Sequence, residues 1–151
     1  MAGALFLPTG CGKPEPTKPT AAAHQHEHHA PHGGTPVVLG EEAYHLELVL
    51  VADEGKLQAF VLDGEMENFI RCPAPSFEVI AMVAGEKRPL TFTAVADTAT
   101  GEKVGDTALF EAQADWLKTT KQFDAVLTSL TIKGTEFANV PFNFPAGNDH
   151  D

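Results

Sequence analysis

The chain predicts an all-β fold: an immunoglobulin-like antiparallel β-sandwich of about seven strands, with a small partly open β-barrel as the alternative. Three observations carry this expectation. Short runs such as Tyr44–Val51 (YHLELVLV) and Leu90–Ala96 (LTFTAVA) alternate apolar and polar residues, the two-residue period of a half-buried strand. Turn signals built from Gly, Asp and Pro recur at intervals of about 8–14 residues. Almost no segment reads as helix. There is no Cys…Trp…Cys framework, which excludes an antibody-type domain.

Order begins near Pro36. Val37–Leu39 is a short apolar strand closed by Gly40. In Tyr44–Val51, Tyr44, Leu46, Leu48 and Leu50 share one face, and His45, Glu47, Val49 and Val51 share the other. Asp53-Glu54-Gly55-Lys56 turns the chain into Leu57–Leu62, a hairpin that stops at Asp63-Gly64. Asn68–Arg71 reads as a short strand and Phe77–Val83 as a longer one. Pro73 and Pro75 exclude a central strand between them. Ala84–Lys87 is a turn, Leu90–Ala96 a strand, Asp97–Asp106 a polar loop and Ala108–Ala114 a further strand. Asp115–Gln122 fits one helical turn or a loop pinned by Trp116. Within Phe123–Lys133 the β-branched residues favour a strand over Thr128–Ile132. Gly134 turns the chain into Phe137–Phe144, where Pro141 points to a sheet edge.

The resulting division is a leader at 1–11, a Pro- and His-rich tether at 12–35, a β domain at 36–146 and a polar tail at 147–151. The tether holds Pro14, Pro16, Pro19 and Pro31 among Thr, Ala, His and Gly. It has too little apolar surface to offset the entropy of ordering, so it reads as a semi-extended spacer. The 151 residues carry a formal net charge of −11 and are 43% apolar. Such a surface repels nucleic-acid phosphates, so nucleic acid is excluded as a partner. No apolar run reaches the length of about 18 residues that a transmembrane helix needs.

Ala2–Leu7 is an apolar stub leading to Gly10-Cys11-Gly12. This resembles the end of a bacterial lipoprotein signal peptide, in which the cysteine becomes the lipid-modified first residue of the mature chain. The stub has no basic residue before it, and Pro8 stands where that pattern prefers leucine. The expected location is the periplasmic side of the bacterial cell envelope, with a lipid anchor on Cys11. A secreted soluble protein is the alternative. Cys72 is then a buried, inert thiol. If Cys11 is free, a Cys11–Cys72 disulfide is open to an exported chain.

Chemistry concentrates in Ala23–Gly34 (AHQHEHHAPHGG), which holds five of the seven histidines: His24, His26, His28, His29 and His32. Neutral imidazole is the commonest protein ligand for borderline metals, and short His-rich tracts are metal-binding by composition. The i,i+2 spacings let neighbouring rings converge on one ion in an extended chain. Zn²⁺, Cu²⁺ and Ni²⁺ all suit imidazole; no Cys or Met lies in the tract to favour Cu(I). Lacking a fold-imposed framework, such a site binds divalent transition metals weakly to moderately. His45 and Glu47, together with His32, offer a second, structured site; the simpler reading makes them the solvent face of an outer strand. His150 and Asp151 are stray ligand candidates. There is no nucleophile elbow, phosphate loop or HExxH, so an enzyme is not expected.

His32-Gly33-Gly34, His45-Leu46-Glu47-Leu48-Val49 and Phe60-Val61-Leu62-Asp63 stand in a run, residues 32–65, that resembles a module in N-terminal regions of RND-type heavy-metal efflux adaptor subunits. Small predicted lipoproteins of planctomycete-like bacteria carry a similar run behind a His-rich linker. The closing LTIKGTEFANVPFNF is loosely similar. The resemblance implies an envelope location, a metal-associated context and an efflux or other envelope protein as partner. Two functions follow as expectations. One is a lipid-anchored metal-binding protein accessory to efflux. The other is a non-enzymatic interaction or scaffold module whose histidines are only linker.

Overall fold

The structure is a computed structural model that describes Gly3, Gly10, Gly12 and residues 29–149. The predicted leader and most of the tether lie outside the described residues. Eight strands form: β1 (Thr35–Leu39), β2 (Tyr44–Val51), β3 (Lys56–Asp63), β4 (Ser76–Val83), β5 (Glu86–Ala94), β6 (Leu109–Gln113), β7 (Phe123–Ile132) and β8 (Thr135–Phe144). The all-β expectation holds. All eight belong to one antiparallel sheet in the order β1-β2-β3-β6-β5-β4-β7-β8. This is the barrel-like arrangement rather than two facing sheets. β6 decides it, because it pairs with β3 on one side (Ala59↔Phe110) and with β5 on the other (Ala94↔Phe110).

The seam between β1 and β8 is closed by the C-terminal tail. The Val38 N–H donates to Asn148 Oδ1 (2.7 Å), and Asn148 Nδ2 donates to the Val38 carbonyl (3.0 Å). One side-chain amide thus takes the place of a paired strand residue and covers a short stretch of edge. The Thr35 hydroxyl donates to the Pro145 carbonyl at 3.0 Å. Gly147 crosses so close to the Pro36 carbonyl that a Cβ there would collide with it. Gly147 and Asn148, expected in a polar tail, therefore belong to the body.

Two other expectations change. Asn68–Arg71 is not a strand: it meets its neighbours only at isolated bridges, with Phe69 opposite Leu62, and Cys72 opposite Thr107 beyond it. β7 runs from Phe123, not only from Thr128, because β8 pairs with it from Phe123↔Phe144 to Ile132↔Thr135. Cross-strand pairing overrides the weak local pattern at its start. Asp115–Lys118 forms a 3-10 turn whose Leu117 is fully buried.

The interior is apolar. Phe77 stacks on Phe92 (4.8 Å between ring centroids) and meets Phe110 edge-on (5.1 Å). Leu46 and Leu48 of β2 and Leu57, Ala59 and Val61 of β3 join the same core. The opposite face of β2 and β3 carries His45, Glu47, Phe60 and Leu62. It is covered by residues 32–34, through His32 and Gly34, and by the 63–70 loop, which brings in buried Met66 and half-exposed Phe69.

Candidate functional site

Glu47 has no solvent exposure. Burying a carboxylate is costly unless it is fully hydrogen-bonded. Three donors meet it. The backbone N–H groups of His32 (2.7 Å) and Gly34 (3.0 Å) donate to Oε1, and Nδ1 of His32 lies 2.8 Å from Oε2. The ring nitrogen facing a carboxylate carries the proton, so the neutral His32 ring holds Nδ1–H and leaves a lone pair on Nε2. Among the described residues nothing bonds Nε2.

The local sequence builds this grip. The Gly33 N–H donates to the Ala30 carbonyl (2.9 Å), closing a turn with Pro31 at its second position. Gly33 sits at φ +67°, and Gly34 lies so tight on β2 that a Cβ would stand 2.5 Å from the Leu48 carbonyl oxygen. Only glycine lets both amides reach one carboxylate here. The His32 ring is 40% exposed. It stacks on Phe60 at 4.0 Å and 17° and lies 5.9 Å from the Phe69 ring.

These three rings wall a cleft of about 370 Å³ whose other side carries Arg71, Asp97, Thr100 and Glu102. The polar side is already engaged. Arg71 donates to Asp106 (3.2 Å) and to the Thr100 carbonyl (2.6 Å). Glu102 accepts from the Thr100 hydroxyl (2.6 Å), the Ala108 N–H (2.9 Å) and the Thr107 hydroxyl (3.3 Å). Those bonds, the Thr100 hydroxyl foremost, hold its carboxyl below the usual range. Asp63 orders the loop that carries Phe69. Burial pushes its carboxyl up, but the Asn68 side chain and the Glu67 and Asn68 amides outweigh that and hold it low.

Of the predicted ligands, Cys11, His24, His26, His28 and His150 lie outside the described residues. His29 is described and exposed. His45 is buried, not on a solvent face, with Nδ1 3.3 Å from the Asp63 carbonyl. Glu47 is likewise buried and meets His32 as a hydrogen-bond partner rather than as a co-ligand. The described residues bring no three His, Cys, Asp or Glu side chains together at metal-binding distance. Phe60, part of the run that carries the resemblance, and Phe69, which has no sequence signal beyond being aromatic, both lie against the His32 ring. No family model, curated protein or solved structure matches the chain.

Proposed function

We propose that the protein is a metal-capturing protein of the bacterial cell envelope, anchored through lipid on Cys11. In this reading His24, His26, His28, His29 and His32 take up Zn²⁺, Cu²⁺ or Ni²⁺, and the barrel is a non-enzymatic body that hands the ion to an efflux or other envelope partner. The observation that carries it is His32: the last imidazole of the tract is held by Glu47 with its second nitrogen open. The net charge of −11 favours cation accumulation around the body. Calorimetric titration of the full chain with Zn²⁺, beside a variant with those five histidines changed to alanine, tests it. The expected result is a Kd below about 1 μM that the variant loses. Binding no tighter than about 100 μM sinks the reading.

A second reading, an interaction or scaffold module with the histidines as linker, is favoured by Met82 (40% exposed) and Val126 (37% exposed) on the outer face of β4 and β7. They line a groove of about 350 Å³ with Pro141. Under that reading, removing residues 24–28, which spares the His32–Glu47 contact, leaves partner capture from envelope extracts unchanged.

A further inference from the structure

From the Glu47–His32 geometry we infer that Glu47 is a positioning carboxylate that makes Nε2 of His32 a divalent-metal ligand and couples metal binding to the barrel. The inference rests on the metal-capturing role proposed above and specifies how one ligand of that site is controlled. A metal-bound histidine commonly donates its other ring N–H to a carboxylate, which fixes the tautomer and raises the basicity of the ligating nitrogen. His32 shows the protein half of that arrangement. Nδ1 is 2.8 Å from Glu47 Oε2, the ring lies on Phe60 at 4.0 Å, and the side chain is 40% exposed at the rim of a cleft. Glu47 is itself fixed, because Oε1 accepts two backbone amides of the segment that carries His32. An ion on Nε2 therefore binds the folded arrangement more tightly than the unfolded chain, whose histidines lack the Glu47 partner, and so stabilises the barrel by that difference.

The test uses the full chain and Zn²⁺ alone. In Glu47→Gln the amide oxygen still accepts the two backbone N–H groups. Its NH₂ then faces Nδ1, which sends the ring proton to Nε2 and blocks the ligand position. His32→Phe keeps the stack on Phe60 and the backbone bonds but removes both nitrogens; it stands in if Glu47→Gln fails to fold. Long-range ¹⁵N–¹H correlation spectra should show His32 as the Nδ1–H tautomer, with the Nε2 resonance moving on Zn²⁺ addition. Each variant should bind Zn²⁺ about 10–100-fold more weakly, the usual cost of losing such a partner, and should lose the Zn²⁺-induced rise in Tm. Equal Zn²⁺ affinity in wild type and both variants overturns the inference and leaves capture by the other histidines standing. No Zn²⁺ binding by the wild type overturns both.

Discussion

Two faces of one sheet behave differently. β7 alternates strictly at its start: Phe123, Ala125 and Leu127 are buried, and Asp124 and Val126 are exposed. One side of the strand meets the core and the other meets water, as a single barrel wall requires. β2 breaks that rule. His45, Leu46, Glu47 and Leu48 are all buried, so both sides of the strand are covered. The core side is leucine and the covered outer side is ionisable. A sheet that needs only a roof could use valine there. Glu47 instead holds a chain segment by three hydrogen bonds and presents one imidazole. The contrast teaches that burial on the outer face of β2 serves attachment, not core packing.

The strongest way to break the contrast is Glu47→Ala. It strands two backbone N–H groups and the His32 ring donor, at a cost of roughly 1–3 kcal/mol for each buried donor left unmet. A loss of about 3 kcal/mol in urea unfolding is expected, with the His32 and Gly34 amides losing hydrogen-exchange protection. A loss under about 1 kcal/mol would mean that water replaces the carboxylate and the grip contributes little.

β2 also shows how much was legible in the sequence. Alternation gave its limits, Tyr44 to Val51, without error, because Tyr44 and its three leucines face one core. Alternation states which side chains share a face but not what covers that face. The cover on Glu47 comes from residues 13 and 15 positions earlier in the chain. Glycine at 34 is informative only once β2 is known to pass beneath it. The choice between sandwich and barrel was equally hidden. The same alternating strands suit both, and only β6, which pairs with β5 and, across about 50 intervening residues, with β3, joins the sheet. Asn148 looked like solvent-facing tail, since no local pattern marks a side chain that substitutes for a strand. The Pro- and Gly-marked turns and the apolar interior were legible because their causes are local.

A second test asks whether the interior beneath both faces is uniformly dry. Cys72 is fully buried, and burial pushes its thiol up from 9.0 to about 11, against a smaller opposing pull from Lys133. Between these values the unfolded chain has lost the proton and the folded chain keeps it. Stability is therefore complete below about pH 9 and falls as pH rises, by about 2–3 kcal/mol in all. Urea unfolding at pH 8 and pH 10.5 should show a steeper alkaline loss in the wild type than in Cys72→Val. Parallel losses would show that water reaches the thiol.

Gly34→Ala sharpens the comparison on the covered side alone. The added methyl would stand 2.5 Å from the Leu48 carbonyl oxygen and 2.8 Å from Val49 Cγ2. The segment must lift from β2, and overpacking of this kind costs about 1–3 kcal/mol. The damage should be local: weaker amide protection at residues 32–34, with the β7–β8 ladder unchanged. An equal fall in protection along β7 would mean that the two faces unfold as one unit.

The smallest effect belongs to the bare face. Met82 lies opposite Asp124 in the β4–β7 ladder and is 40% exposed, and Val126 lies opposite Ile80. Neither side chain supports a buried donor or a chain segment. Met82→Thr keeps strand propensity and removes apolar surface already in contact with water, so unfolding free energy should move by less than about 0.5 kcal/mol. The same substitution should leave the His32 tautomer and Zn²⁺ affinity at their wild-type values. A loss above about 1 kcal/mol would mean that Met82 is covered in solution, by a second copy or by residues 1–28. Sedimentation at two protein concentrations separates these, since only association depends on concentration. A covered Met82 would make the bare wall a second attachment surface and would remove the asymmetry on which the reading of Glu47 depends.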